Sequence, residues 1–207
     1  MTKKLSEKEI TLQTYNKSAK KLAEYFSGVS GPRKAFIDKS FKIYSKNNPK
    51  VLEIGCGDGR DAEYIVSKTK NYEGFDLSER MIELARKRLK GVNFFVDDLS
   101  QYNCHKKYDI IFALSALVHS DKKEVKDFIY SMNSCLVENG ILVIDLKIKK
   151  TYTRELRTDK FGTRVFYYYA PELIQNFARN KYKTLFMETQ TIGKTEWLTI
   201  ILQKTKN

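Results

Sequence analysis

The sequence predicts an α/β fold: a mainly parallel sheet with helices on both faces. Three observations carry this reading. Short apolar runs alternate with amphipathic stretches from residue 51 to residue 146, the rhythm of β-α-β units. A glycine-rich turn, Gly55-Cys56-Gly57-Asp58-Gly59, follows the first apolar run. Acidic residues, Asp76 and Asp98, follow the next two.

The elements are read in chain order. Leu12, Tyr15, Ala19, Leu22, Ala23 and Phe26 recur at spacings of three and four, which predicts a helix over 6–26. Gly28 to Pro32 breaks it, and a second helix follows over 33–45, closed by Pro49. Val51 to Ile54 is a short buried strand. Arg60 to Lys68 is helical, and Asn71 to Phe75 is a second strand ending at Asp76. Ser78 is an N-cap residue for a helix whose apolar stripe is Met81, Ile82, Leu84, Ala85 and Leu89. Val92 to Val96 and Tyr108 to Leu114 are the third and fourth strands. Lys122 to Val137 reads as a helix stopped by Asn139-Gly140, and Ile141 to Leu146 as a fifth strand. Residues 148–170 interrupt the rhythm with a basic and then aromatic segment. Pro171 opens a last helix over about 171–180. Two closing strands near 183–190 and 195–203 turn at Gly193, as in an antiparallel hairpin.

The chain has 207 residues, of which 42% are hydrophobic, enough for one packed domain without staples. Within it we expect a helical cap over 1–48, a cofactor-binding core over 49–147, a substrate-lid insertion over 148–170, and a closing helix and hairpin over 171–207. No stretch approaches the roughly 18 apolar residues of a membrane helix. Residues 1–10 show no secretory pattern. Cys56, Cys104 and Cys135 are widely spaced and form no C-x-x-C, so reduced thiols and a cytoplasmic location are expected. No metal site is expected, because His105 and His119 are the only histidines. The net charge of +13 is uneven: residues 1–50 carry +8, residues 51–146 carry −3, and residues 147–207 carry +8. Basic flanks suit solvated surface or contact with a polyanion.

The glycine loop is the strongest signal. Its glycines let backbone approach a ligand where a strand enters a helix. A dinucleotide fingerprint, G-x-G-x-x-G, needs a third glycine where Arg60 stands. The pattern here is G-x-G-x-G, with Glu53 inside the strand. Both departures point from NAD toward S-adenosylmethionine. Asp76 lies 21 residues past Gly55, where a carboxylate can accept from both hydroxyls of a ribose. Asp98 follows the third strand, placed to accept from an adenine amino group.

The run from Val51 to Lys147 resembles the class I S-adenosylmethionine-dependent methyltransferases. Gly55 to Ala62 is similar to the family's G-x-G-x-G-R-D-A motif, and Gly74-Phe75-Asp76-Leu77-Ser78-Glu79-Arg80-Met81 to its G-h-D-h-S-x-x-M motif. Tyr108-Asp109 to His119 is similar to its fourth strand and the segment after it. The resemblance implies a Rossmann-like sheet of seven strands, mostly parallel with the last antiparallel. It implies that Glu53, Gly55, Cys56 and Gly57 surround the methionine part of the cofactor. Asp76 would bind the ribose, Leu77 and Met81 would flank the adenine, and Asp98 with Leu99 would bind its edge. Ala113 and Leu114 would line the methionine side, and Tyr15, Arg33 and Arg60 are candidates for its carboxylate end. The product would be S-adenosylhomocysteine.

Methyl transfer from a sulfonium needs positioning first and a base only if the acceptor holds its proton. His119, just past the fourth strand, is the candidate base, since histidine titrates near pH 7; capping the next helix or lining the pocket is the alternative. Cys56 is structural, and no Pro-Cys nucleophile motif or Asn/Asp-Pro-Pro-Tyr motif is present. The aromatic stretch from Phe161 to Tyr169 reads either as an extra strand on the sheet or as a lid. In a lid, Arg164, Tyr167 and Tyr168 would grip an anionic or planar acceptor. A small-molecule acceptor is the leading expectation; the alternatives are RNA such as tRNA, which the same residues and the basic flanks suit, and a regulatory protein that binds the cofactor without catalysis.

Overall fold

The computed structural model describes residues 5–28 and 31–205. Residues 1–4, part of the segment read for a leader, and Val29 and Ser30, in the expected helix break, lie outside them. Helix α1 (Glu7–Ser27) starts in a capping box: Glu9 N donates to Ser6 Oγ, and Ser6 N donates to Glu9 Oε2. Helix α2 (Gly31–Tyr44) then leads to β1 (Val51–Ile54), α3 (Arg60–Val66), β2 (Tyr72–Asp76), α4 (Glu79–Arg88), β3 (Asn93–Val96) and β4 (Tyr108–Leu114). A 3₁₀ turn (Ala116–His119) precedes α5 (Lys122–Cys135) and β5 (Leu136–Ile148). The chain closes through β6 (Thr153–Asp159), β7 (Gly162–Tyr168), α6 (Pro171–Ala178), β8 (Tyr182–Ile192) and β9 (Thr195–Lys204).

Seven strands form one sheet in the order β3-β2-β1-β4-β5-β9-β8. Only β9 runs antiparallel to its neighbours. The centre of the sheet is buried on both faces, which is why its strands carry unbroken apolar runs such as Ile110–Leu114 and Ile141–Ile144. Alternation along β4 divides them: Ile111 and Ala113 join a core with Val125, Ile129 and Met132 of α5, whereas Ile110 and Phe112 join one with Ile37, Ala62, Ile65 and Ile82 of α2, α3 and α4. Asp109, buried at the start of β4, accepts from Tyr44 Oη, Lys46 Nζ and Lys50 N, and so ties α2 to the base of the sheet.

Three sequence expectations need correction. Asn139-Gly140 does not stop a helix. Helix α5 ends at Cys135 and β5 starts at the next residue, with the register passing from Tyr108–Leu136 to Ile110–Ile141. Asn139, at φ 61°, absorbs the extra residues as a bulge within the strand. The aromatic stretch adds no strand to the main sheet. Strands β6 and β7 pair with each other as a separate antiparallel hairpin, joined to β5 by one bridge between Ile148 and Tyr169. Finally, the thiols are not all free: Cys104 and Cys135 are joined, with Cα atoms 5.7 Å apart, while Cys56 is free and buried. The pairing brings the β3–β4 connection to the end of α5, a proximity set by topology rather than by local sequence.

The hairpin folds back over α1. Val165 N donates to Thr11 Oγ1, Thr14 Oγ1 donates to Thr163 O, and Ser18 Oγ donates to Phe161 O. Gly162 permits this approach: its φ is 132°, and a Cβ there would stand 2.8 Å from Thr14 Oγ1. Together α1 and the hairpin roof the carboxyl ends of the parallel strands.

Candidate functional site

Beneath that roof lies a cavity of about 520 Å³. It sits outside the carboxyl ends of β1, β2 and β4, where open α/β sheets bind ligands. The glycine loop forms one wall. Gly55, Gly57 and Gly59 all have positive φ, and a Cβ at Gly55 would collide with Ala116 Cβ at 2.6 Å. The loop is thus tight against the turn after β4, while nothing stands within 4 Å of the Cβ direction at Gly57.

Asp76 ends β2 beside this loop. Its carboxylate accepts from Gly57 N at 3.0 Å and from Ser78 N at 2.8 Å. Burial raises its pKa, opposed by these main-chain donors. Ser78 Oγ also caps α4 by accepting from Met81 N, so one short segment fixes loop, carboxylate and helix. Next to it, Met81, Leu77, Leu99 and Phe75 supply apolar lining. Asp98 lines the cavity too, held by Lys8 Nζ at 2.6 Å and by Ser100 N. The lysine beside it helps hold its carboxyl below the usual range, against the opposing effect of burial.

A second polar group surrounds Asp61. Arg33 donates to it at 2.6 Å and Arg60 at 3.1 Å, and Arg33 also donates to Ser115 Oγ. Burial pushes the Asp61 carboxyl up, but the two guanidiniums beside it prevail and hold it low. Asp145, behind Ser115, is pushed up to about 6 by burial, with Arg33 opposing. Of the fourteen residues expected at the cofactor, Tyr15, Arg33, Gly55, Cys56, Gly57, Arg60, Asp76, Leu77, Met81, Asp98, Leu99 and Leu114 line this one cavity. Glu53 and Ala113 do not. Ala113 is wholly buried in the sheet, and Glu53 is buried behind the loop, accepting from Tyr72 Oη at 2.6 Å.

Glu53 has a measurable consequence. Burial and the Asp61 charge push its carboxyl well above the usual carboxylate range. The folded state then holds a proton that the unfolded state releases near pH 4.3, so stability falls as pH rises from there through the raised native value. We expect Glu53→Gln to flatten that falling limb in thermal melts without added ligand. An unchanged slope would show that Glu53 is ionised throughout.

The far half of the cavity is lined by His119, Lys147, Arg157, Arg164, Phe166 and Trp197. His119 Nδ1 donates to Val165 O, which leaves Nε2 to accept from Tyr15 Oη at 2.9 Å. Burial drops its pKa to about 3, so the ring stands neutral and the expectation of titration near pH 7 is corrected. Arg164 lines the cavity, as expected, but Tyr167 and Tyr168 are not among its lining residues. Tyr167 donates to Glu7 on the outside of α1, and Tyr168 accepts from Arg157. On β7 it is Phe166 that reaches the cavity. Lys147 and Trp197 pair across β5 and β9 and went unnoticed, because Lys147 stands one residue past the expected strand Ile141–Leu146 and Trp197 lies in an expected closing strand. A lysine closing the apolar run Ile141–Leu146 was the available signal.

A glycine loop at a strand end, a carboxylate closing the next strand and a roofed cavity sit on a seven-stranded sheet that has the class I S-adenosylmethionine-dependent methyltransferase fold. Residues 51–140 match the family model of the methyltransferase domain. In sequence, the chain is 30% identical over 122 residues to malonyl-[acyl-carrier protein] O-methyltransferase 2 of Ilyobacter polytropus, covering 56% of this chain and 44% of that protein. It is 28% identical over 150 residues to a probable (S)-tetrahydroprotoberberine N-methyltransferase of Papaver bracteatum, covering 67% of this chain and 41% of that protein. The chain thus spans less than half the length of these curated relatives. In structure, it superposes on magnesium protoporphyrin IX methyltransferase from Synechocystis PCC 6803, with a TM-score of 0.76, 16% identity, and coverage of 99% of this chain and 100% of that one. A methyltransferase from Clostridium acetobutylicum gives a TM-score of 0.73 at 16% identity, covering 90% and 99%. Among the described residues no metal-binding cluster occurs, and no helix is long and apolar enough to cross a membrane.

Proposed function

We propose that the protein is an S-adenosylmethionine-dependent methyltransferase acting on a small-molecule acceptor. The observation that carries this is the continuity of the cavity. One space joins the glycine loop and Asp76 to a second half lined by aromatic and cationic side chains under the roof. The chain's groups fit the cofactor: Asp76 has only main-chain donors among its hydrogen bonds, and the loop opens beside it at Gly57. In this reading Asp76 takes the ribose, Asp98 and Leu99 the adenine edge, Leu77 and Met81 its faces, and the Arg33–Arg60–Asp61 group the polar end. The bound cofactor supplies an activated methyl group, so the protein's work is positioning and exclusion of water. Phe161, Tyr15 and Phe166 line the cavity under the roof and keep water from the transfer site. His119, neutral and bonded on both nitrogens, aims the Tyr15 hydroxyl rather than waiting as a base at neutral pH.

The test is transfer of labelled methyl from S-adenosylmethionine into a cell extract fractionated into small molecules, RNA and protein. Label in the small-molecule fraction is expected. Label confined to RNA would overturn the choice of acceptor and make the basic flanks a binding surface. Cofactor bound with no label in any fraction would oppose catalysis.

A further inference from the structure

Three cations surround one aromatic ring in the far half of the cavity. From the Phe166 centroid, Lys147 Nζ lies at 3.9 Å, the Arg157 guanidinium carbon at 4.9 Å and that of Arg164 at 5.3 Å. Two carboxylates answer them. Glu155 accepts from Arg157 at 2.7 Å, and Asp159 accepts from Arg164. Lys147 is 8% exposed, yet it forms no hydrogen bond or salt bridge with any described residue. Arg164 is also buried, and its Nε finds no acceptor among the described residues. A ring face stabilises a cation only modestly; taking an unpaired cation out of water costs more than that. The strain is visible in Lys147, whose pKa is lowered to about 8 by burial and by Arg157 and Arg164. What this corner lacks is negative charge.

We propose that Lys147, Arg157 and Arg164 form an anion subsite, and that the acceptor carries a carboxylate or phosphate monoester on a flat apolar body lying against Phe166 and Trp197. The inference rests on the methyl-transfer reading and names its substrate class. The anion pairs with Lys147 Nζ, whose side chain lines the cavity beside those of Arg157 and Arg164. The flat body takes up the ring faces, as the apolar part of a ligand does in such clefts. The same three charges repel a protonated amine, so cationic acceptors are excluded on charge rather than on shape.

The experiment compares 2-naphthoate, 2-naphthyl phosphate and the neutral 2-naphthamide as probes. Binding is read by ligand-observed NMR on protein saturated with S-adenosylhomocysteine, whose own affinity is measured in parallel. Wild-type protein is expected to bind an anionic probe at least tenfold more tightly than the amide. The better of the two anions assigns carboxylate or phosphate. Lys147→Met is expected to erase most of that preference and Lys147→Arg to restore it, with S-adenosylhomocysteine affinity within about threefold throughout. Should Lys147→Met not fold, Arg157→Met carries the same expectation. Equal binding of acid and amide, or a preference that survives in the variant, overturns the subsite while bound S-adenosylhomocysteine leaves the methyl-transfer reading standing. Wild-type protein that binds neither S-adenosylhomocysteine nor an anion overturns both.

Discussion

Asp76→Ala should weaken S-adenosylhomocysteine binding at least 100-fold, measured by calorimetry. Hydrogen bonds to a charged acceptor contribute about 1.5–3 kcal/mol each. Two ribose hydroxyls therefore stand to lose about 3 kcal/mol or more, which is the stated factor. The side chain also holds Gly57 N and Ser78 N, so the variant releases the glycine loop from the head of α4. Asp76→Asn separates the two effects. It keeps an acceptor oxygen but loses the charge, and should cost about tenfold. A folded Asp76→Ala variant with unchanged affinity would move the cofactor to another part of the molecule and undo the functional reading with it.

Reduction of the Cys104–Cys135 bond should lower stability by about 3–4 kcal/mol. The two cysteines are 31 residues apart, and cross-linking a loop of that length restricts the unfolded chain by roughly that amount in the chain-entropy model. In a protein of this size the melting temperature should fall by about 6–16 °C. Scanning calorimetry with and without reductant, and of Cys104→Ser, gives the value. The bond lies toward the amino end of β4, the sheet edge opposite the cavity, so S-adenosylhomocysteine affinity should hold within twofold. Thiol titration of the denatured, unreduced protein should find Cys56 alone. Three reactive thiols would contradict the pairing.

The parts that could be read from sequence are those where local chemistry decides. Three closely spaced glycines after β1 mark a turn of positive φ, which all three adopt, and Ser78 caps α4 as its position suggested. Strand β4 was legible because six of its seven positions are apolar or aromatic, all but Asp109, which suits a strand buried on both faces. The parts that escaped depend on distant partners. Tyr167 and Tyr168 drew attention as aromatics, but hairpin register with β6 decides which β7 side chains meet the cavity, and register with β6 cannot be read from β7 alone. Lys147 lies one residue past the strand expected from its apolar run, and only the pairing with β9 extends β5 to it and sets it opposite Trp197. The disulfide was hidden for the same reason. Residues 136–140 were misread because Asn-Gly stops helices and builds bulges equally well, and only the pairing with β4 chooses.

The roof over the cavity is stitched from opposite ends of the polypeptide. Thr11 and Val165 are separated by 154 positions, and Ser18 and Phe161 by 143. Joining such remote segments costs closure entropy that grows with the logarithm of the span, and contacts this non-local are slow to form. The roof is therefore expected to form after the shorter-range pairings of β1 to β5 beneath it. A chain released before residue 161 has β1 to β5 but leaves the cavity an open trough. A roofed cavity is thus expected to be a late product of folding, one that waits for residues 161–165 to meet α1.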